Sequence, residues 1–369
     1  MTVARHSPEA WIKHSVATCW PAASAAGIVA LKGDASTRRF WRVAIAIGRA
    51  HFTLAARRGL RRPLYDRAAP TTAIAIDLGP DDLPLYARTL KLIPEPLPDP
   101  PWVSLQRFLR KIDVAVPELY HADPGARMLL VEDVGELPLF TAAERGDAGD
   151  LYRLAAEELL RLHLEGTQRL DSDCIAARIA YDERLFRWEL EQFVDLGAAE
   201  VAPGIDRSVI AAELDDLAVR LDRLPRVLSH RDYHGHNLFV QTGRIDEPRL
   251  RVIDFQDALM APAAQDLAVL LTTRDTSRVI SPRVEQRVLE YYYAALIRHG
   301  SATLSHAEFV DSYRLCVLQH ALKVIGRFVY LEHSGKTGYA TYIPYALAQV
   351  RRMLAHITDF SRLREALRE

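Results

Sequence analysis

Two short stretches of the sequence place oxygen-bearing side chains between apolar residues. The first reads LSHRDYHGHNLFV and contains Asp232 and Asn237, and the second reads LRVIDFQD and contains Asp254. Phosphoryl transfer needs a carboxylate that orients and deprotonates a hydroxyl, and side-chain oxygens that hold Mg²⁺ on the phosphates. Asp232 can provide that carboxylate, whereas Asn237 and Asp254 can provide the hard oxygen ligands that Mg²⁺ prefers. The apolar flanks predict two short adjacent strands that present these side chains at one edge.

The spacing of these residues is more informative than any one of them. A His-x-Asp triplet is common by chance, and an aspartate after a strand is usually a turn residue. The full pattern of His-Arg-Asp, four residues, an asparagine, a hairpin-length gap and an apolar-Asp-Phe run is much rarer. It favours a kinase-type site over a set of capping and turn carboxylates.

The two stretches resemble the catalytic core of the aminoglycoside phosphotransferase-like superfamily of small-molecule kinases, which shares the protein-kinase-like fold. The resemblance implies an α+β, bilobal fold with an antiparallel N-lobe sheet carrying few helices and a larger, mostly helical C-lobe. It also implies that Asp232 is the catalytic base and that Asn237 and Asp254 are the magnesium ligands. His230 would be the buried histidine that braces the catalytic loop, and ATP would be the phosphoryl donor.

One departure from the protein-kinase pattern concerns the acceptor. Gln256 stands where the third residue of the Asp-Phe-Gly motif would be glycine. Pro262 and Asp266 then lead directly into an apolar run, which leaves no room for a peptide-docking activation loop. The sequence therefore favours a small-molecule acceptor.

Composition describes an ordinary water-soluble chain. The 369 residues carry 47 Lys+Arg against 48 Asp+Glu, a formal net charge of -1, so no bulk attraction to nucleic acid or membranes is expected. The three cysteines are widely separated, which fits reduced thiols better than disulfides or zinc. We find no signal-peptide core, membrane-span-length apolar run, dinucleotide fingerprint, P-loop or hydrolase elbow. We expect a cytoplasmic monomer without nucleic-acid or membrane partners.

A turn between two predicted strands in the N-terminal part is a candidate phosphate loop. Ile28–Leu31 and Arg39–Ile47 read as strands, and the turn between them is rich in small polar residues. Such a turn can direct backbone N–H groups at phosphate oxygens. Gly33, Ser36 and Thr37 would be the nucleotide contacts.

The predicted strand Thr71–Leu78 lacks the lysine that pairs with the phosphates in protein kinases. Either another basic residue, such as Arg39 or Arg42, serves the phosphates, or ATP binding relies on the loop and the metal. The missing lysine is also the one feature that suggests a pseudokinase.

An interlobe hinge is expected at residues 131–135, where Glu132 and Val134 would flank the adenine edge, with backbone groups making the contacts. A simple strand end is the alternative. The expected division places the N-lobe at residues 1–134 and the C-lobe at 135–369. Acceptor contacts are expected from the C-lobe.

Four C-lobe residues are candidate substrate ligands. Glu189, with Asp182 seven residues earlier, could bind sugar hydroxyls, unless these acids form a solvated face. His320 and Lys323 lie with Arg327 on one basic stripe, either a surface feature or a cleft feature that neutralises an acidic group. His234, inside the first stretch, completes the set.

Several pieces resemble the bacterial anomeric sugar kinases of cell-wall recycling, which phosphorylate N-acetylmuramate and N-acetylglucosamine at the 1-hydroxyl. They read, in order, GDASTRRF, LLVEDVG, YDERLFRWELEQF, HRDYHGHN and QHALKVIG. The first, third and last discriminate this subgroup. The proline-rich linker and following helix, Pro94–Ile112, look like an insertion that could reshape the nucleotide lobe or cover the cleft. A kinase for aminoglycosides, amino alcohols or other sugars remains the alternative.

Overall fold

The computed structural model describes residues 7–31, 38–47, 68–79, 85–92, 99–241 and 248–368. The chain divides into two compact units. The first comprises Met1–Leu83, Pro98–Val103 and Pro117–Val134, and the second comprises Pro84–Leu97, Ser104–Val116 and Gly135–Glu369. The expected phosphate-loop residues Gly33, Ser36 and Thr37 lie outside the described residues, as does the linker segment 93–98.

The first unit is built on a five-stranded antiparallel sheet. Its strands are β1 (Ala23–Leu31), β2 (Arg39–Ile47), β3 (Thr72–Asp77), β4 (Leu119–Asp123) and β5 (Met128–Glu132). They lie side by side in the order β1-β2-β3-β5-β4. Every neighbouring pair is antiparallel.

One helix covers a face of this sheet. The helix α1 (Pro8–Cys19) begins where the side chain of Ser7 accepts a hydrogen bond from the Ala10 N–H and proline occupies the first turn. Side chains alternate between the two faces of a strand, so every second residue of β2 points toward this helix. Val43 and Ile45 pack there with Trp11 and other residues of one apolar cluster.

The second unit is mostly helical. Its longer helices are α5 (Ala148–Arg161), α7 (Glu183–Gln192), α9 (Arg207–Asp222), α10 (Ala263–Thr272), α11 (Pro282–Arg298), α12 (His306–His333) and α13 (Ile343–His356). The shorter helices are α2 (Leu85–Thr89), α4 (Leu139–Ala143), α6 (Thr167–Arg169), α8 (Ala198–Val201) and α14 (Ser361–Ala366). The helix α3 (Pro101–Lys111) precedes β4. No helix in the described part of the chain is long and apolar enough to cross a membrane.

Two short strand pairs interrupt the helices of the second unit. Strand β6 (Arg226–Ser229) pairs with β9 (Leu259–Pro262), and β7 (Leu238–Gln241) pairs with β8 (Arg249–Val252). The ends of these strands carry the stretches that the sequence singled out. The prediction of two adjacent strands flanking the polar residues is confirmed, since Leu238 lies opposite Val252.

The sequence between Tyr342 and Leu363 predicts one continuous helix, and this prediction is wrong. The structure has two helices there, since α13 ends at His356 and α14 begins at Ser361. Phe360, between them, has a left-handed backbone with φ 58°, which an α-helix cannot contain. The antiparallel N-terminal sheet and the helical remainder are as expected.

Candidate active site

A buried carboxylate fixes the backbone of the loop that follows β6. Asp266, in the first turn of α10, accepts hydrogen bonds from the backbone N–H groups of His230 and Arg231, both at 2.8 Å. The ring of His163 lies 3.0 Å from the same carboxylate. Burial disfavours the charge on Asp266, but the hydrogen bond and charge of His163 outweigh it and lower the pKa of the carboxyl. The loop is thus tied to the helical core at its first two residues.

Hydrogen bonds also connect the two predicted polar stretches. The side-chain amide of Asn237 donates to the backbone carbonyl of Asp232 at 3.0 Å. The N–H of Ile253 donates to the carbonyl of Asn237, also at 3.0 Å. A ring nitrogen of His230 lies 3.0 Å from the Ile253 carbonyl oxygen. The loop of Asp232 and Asn237 is therefore joined to the residue that precedes Asp254.

The residues expected to hold Mg²⁺ fit that ion chemically. Because the Nδ2 atom of Asn237 faces the Asp232 carbonyl, its Oδ1 atom points away from that carbonyl. Asp254 follows β8 with a left-handed backbone, φ 64°, and one carboxylate oxygen accepts from Gln256 at 2.8 Å. An amide oxygen and a carboxylate are hard donors of the type Mg²⁺ takes, with water completing its shell. Among the described residues, no group of three His, Cys, Asp or Glu side chains suggests a different metal site.

Charges near the loop keep Asp232 ionised. Burial disfavours its charge, but the positive charges of Lys323 and Arg231 outweigh this effect and lower the pKa of the carboxyl. Burial, with the charge of Arg274, lowers the pKa of His234 to about 3. Near neutral pH the site therefore presents a carboxylate at Asp232 and an uncharged imidazole at His234.

Glu189 lies at the centre of a buried polar cluster. One carboxylate oxygen accepts from Arg231 at 2.6 Å and lies 3.2 Å from Lys323 Nζ. The other accepts from the hydroxyl of Tyr181, and from the amide of Gln319 at 3.1 Å. Glu189 is 1% exposed, so the alternative of a solvated acidic face is wrong for this residue.

The surface interpretation of the basic stripe on α12 is also wrong for two of its members. Lys323 forms the ion pair with Glu189, and its side chain is 17% exposed. His320 is buried, and one ring nitrogen lies 2.8 Å from the hydroxyl of Thr273. Burial, with the charge of Lys323, lowers the pKa of His320 to about 3. The two side chains turn inward because α12 packs against both α7 and α10.

The first unit contains the remaining described candidates. Arg39 of β2 pairs with Asp77 of β3 at 2.5 Å, and Arg42 pairs with Asp133 at 2.7 Å. Both expected replacements for the missing lysine thus pair with carboxylates of the first unit, one in β3 and one directly after β5.

The two expected hinge residues, Glu132 and Val134, lie at the end of β5 and two residues beyond it. A side-chain oxygen of Glu132 accepts from the N–H of Glu118 at 3.1 Å, and Val134 is buried. Both observations concern residues of the first unit only, so they do not test whether this segment is an interlobe hinge. The hinge stays a prediction.

Sequence reasoning missed several residues that the structure places at the site. Arg231, Tyr181 and Gln319 all contact Glu189, and Asp266 binds the loop backbone. Gln319 and Lys323 are four residues apart on one helix, which places them on the same face. This spacing could have indicated that Gln319 belongs to the same site as Lys323. The pairing of Glu189 with the distant residues Arg231 and Lys323 has no such local signal in the sequence.

The chain belongs to the phosphotransferase enzyme family (APH), whose model matches residues 28–301. It is a phosphotransferase with a kinase-like fold.

Among curated proteins, the N-acetylmuramate/N-acetylglucosamine kinase of Caulobacter vibrioides is 28% identical over 66% of this chain and 67% of its own length. The protein of the same name from Pseudomonas aeruginosa is 29% identical over 72% of this chain and 77% of its own.

Solved structures show the same fold at low sequence identity. The choline kinase LicA of Streptococcus pneumoniae aligns with a TM-score of 0.57 and 14% identity, covering 95% of this chain and 99% of its own. The GDP complex of aminoglycoside 2'-phosphotransferase-IIIa aligns with a TM-score of 0.55 and 14% identity, covering 95% of this chain and 99% of its own. These likenesses confirm the kinase-like fold.

Proposed function

We propose that this protein transfers the γ-phosphoryl group of ATP to a sugar hydroxyl, namely the anomeric 1-hydroxyl of N-acetylmuramate or N-acetylglucosamine. The observation that carries the proposal is the hydrogen-bonded connection between the loop of Asp232 and Asn237 and the strand end that precedes Asp254. Membership of the phosphotransferase family and the names of the curated relatives support the reaction and the acceptor.

Asp232 is assigned the role of base. Its carboxylate is ionised near neutral pH, so it can orient the acceptor hydroxyl and take its proton as the oxygen attacks phosphorus. Asn237 and Asp254 would hold Mg²⁺, which when bound offsets negative charge on the phosphates. His230 braces the loop through its contact with the Ile253 carbonyl.

Nucleotide binding is assigned to the N-terminal part of the chain. We assign residues 1–134 to a nucleotide lobe and 135–369 to a catalytic lobe. Gly33, Ser36, Thr37 and Arg39 are proposed to serve the phosphates. Glu132 and Val134 are proposed to serve the adenine.

The charges around Asp232 support an uncharged or acidic acceptor over a cationic one. Kinases of polyamines and amino alcohols need carboxylates that can pair with the acceptor's positive charge. Here the nearby buried acids already have partners in the protein: Glu189 pairs with Arg231 and Lys323, and Asp266 pairs with His163. His234, His320 and Lys323 are the proposed acceptor contacts, since neutral imidazoles can bind sugar hydroxyls and the ammonium can bind a carboxylate.

A panel of acceptors tests the proposal. Release of ADP from ATP and Mg²⁺ should be measured with N-acetylmuramate, N-acetylglucosamine, choline and an aminoglycoside. We expect turnover with at least one of the two N-acetylated sugars at a kcat/KM at least tenfold above that for either amine. Turnover restricted to the amines would reject the sugar assignment, and ATP binding without turnover of any acceptor would favour a pseudokinase.

A further inference from the structure

We propose that Glu189 is a positioning residue for the base: it holds Arg231, and through Arg231 the backbone from which Asp232 extends. The inference rests on the proposed function, since it takes Asp232 as the base. It departs from the expectation that Glu189 binds sugar hydroxyls. Its support is the set of contacts that surround the carboxylate.

The carboxylate of Glu189 is fully engaged by the protein. Arg231 and Lys323 share one oxygen, at 2.6 and 3.2 Å, and Tyr181 and Gln319 donate to the other. A carboxylate with four such partners has little capacity left for a ligand hydroxyl. Burial disfavours its charge, but Lys323 and Arg231 outweigh this and lower the pKa of the carboxyl. Glu189 is therefore a carboxylate near neutral pH, and its partners come from the protein.

Arg231 is held in a backbone conformation that is uncommon for any residue other than glycine. Its φ is 76°, in the left-handed region that favours glycine. Such a backbone persists only where the surrounding contacts offset its cost. Besides the backbone hydrogen bond to Asp266, those contacts include the ion pair with Glu189 and the ring of Tyr86, whose centroid lies 3.9 Å from the guanidinium carbon. The side chain of Arg231 thus fixes the backbone one residue before Asp232.

The two loop anchors act on different parts of Arg231. Asp266 binds its backbone N–H, whereas Glu189 binds its guanidinium. The backbone anchor fixes where the loop begins. The side-chain anchor fixes how the chain turns at Arg231, and therefore the direction in which the Asp232 side chain leaves.

Glu285 offers a matched control in the same helical unit. It is 8% exposed, pairs with Arg352 at 2.8 and 2.9 Å, and accepts from the hydroxyl of Tyr313 at 2.7 Å. A buried glutamate bound by an arginine and a tyrosine therefore occurs twice, with the Arg352 side chain of the second set 32% exposed. Only the set of Glu189 includes a residue of the catalytic loop.

The experiment compares Glu189→Gln with Glu285→Gln in the full-length protein. Three quantities are measured for each: kcat and KM with N-acetylglucosamine and N-acetylmuramate, stability in denaturant, and hydrogen exchange of the peptide covering residues 228–237. We expect Glu189→Gln to lower kcat about 10²-fold, because small misplacement of a catalytic group has effects of that size. The KM for N-acetylglucosamine should change less than threefold, and exchange in residues 228–237 should rise.

Glu285→Gln should lose stability to a similar extent while its kcat and its exchange in residues 228–237 stay at wild-type values. If the first variant does not fold, Glu189→Asp keeps the charge and should show the same pattern at reduced size. An increase in the KM for N-acetylglucosamine, which has no carboxylate for Lys323 to bind, at constant kcat would mean that Glu189 binds the acceptor and would overturn the proposal. Equal effects of both glutamine variants on kcat would overturn it as well. Hydrogen exchange needs no acceptor, so it decides this inference even if the wild-type protein fails to phosphorylate the sugars.

Discussion

Two buried glutamates in the helical unit are surrounded by similar chemistry but serve different parts of the molecule. Glu285, on α11, joins α12 and α13 through Tyr313 and Arg352. Glu189, on α7, pairs instead with an arginine from the loop that follows β6. Replacing a buried ion pair by apolar residues is often neutral or stabilising, so burial of such a pair does not by itself explain its presence. The difference lies in what each glutamate holds.

The two arginines, Arg352 and Arg231, differ in backbone conformation. Arg352 lies within the regular helix α13, whereas Arg231 has a φ of 76°. A helix needs no help from a side chain to keep its backbone. A left-handed arginine does, because the conformation costs free energy relative to an extended or helical one. The Glu189 cluster therefore maintains a strained loop beside the proposed base.

The largest predicted difference between the Glu189 and Glu285 clusters is how strongly the free energy of unfolding depends on pH. His320 lies in the field of Glu189 and Lys323, and burial lowers its pKa to about 3. Below the unfolded-state pKa of about 6.5, the unfolded chain binds a proton at this histidine and the native state does not. As the pH is lowered from about 6.5 to about 3, the free energy of unfolding should therefore fall by about 1.4 kcal/mol per pH unit on account of His320 alone.

The variant His320→Gln isolates this effect, because the amide can still reach Thr273 but does not titrate. Denaturant unfolding at several pH values between 4 and 7 should show a flatter stability curve for the variant than for the wild-type protein. Above pH about 7 the difference between the two proteins should be independent of pH. Parallel curves between pH 4 and 6 would show that His320 is not held neutral in the folded state.

The smaller predicted difference concerns the two arginines. Arg231→Gly and Arg231→Ala both remove the guanidinium, so their stabilities differ only through the Cβ atom at a positive φ. We expect the glycine variant to be more stable by about 1 kcal/mol.

At Arg352 the order should reverse, because glycine inside a helix is less stable than alanine by about 1 kcal/mol. Denaturant unfolding of the four variants measures both differences. The same order at both positions would remove the argument that Arg231 is held under strain.

Local pattern predicted much of the fold and the centre of the site. The strand bounds Arg39–Ile47 agree with the structure, and α1 begins at the serine-proline signal. Period-2 alternation and helix caps depend on neighbouring residues, so one sequence contains them. The motif of Asp232 and Asn237 was equally local, since a four-residue spacing places both on one loop.

Contacts between distant segments were not predictable in the same way. The four partners of Glu189 come from three places in the chain, namely Tyr181, Arg231 and the helix α12. A helical pattern shows that a residue lies on one face of its helix but not which element packs against that face. The sequence therefore leaves open whether His320 and Lys323 lie on the surface or in a cleft, and the packing of α7 and α10 against α12 decides between the two. The left-handed backbone of Arg231 was hidden for the same reason, because arginine gives no local signal for it.

The most direct test of the account is the turnover of Asp232→Asn with the better of the two N-acetylated sugars. Removing the base while keeping its shape should lower kcat by about 10²- to 10⁴-fold. Stability in denaturant should stay near the wild-type value, the reverse of the pattern predicted for Glu285→Gln. Near-wild-type turnover by Asp232→Asn would contradict the assignment of the base and, with it, the mechanism built on this loop.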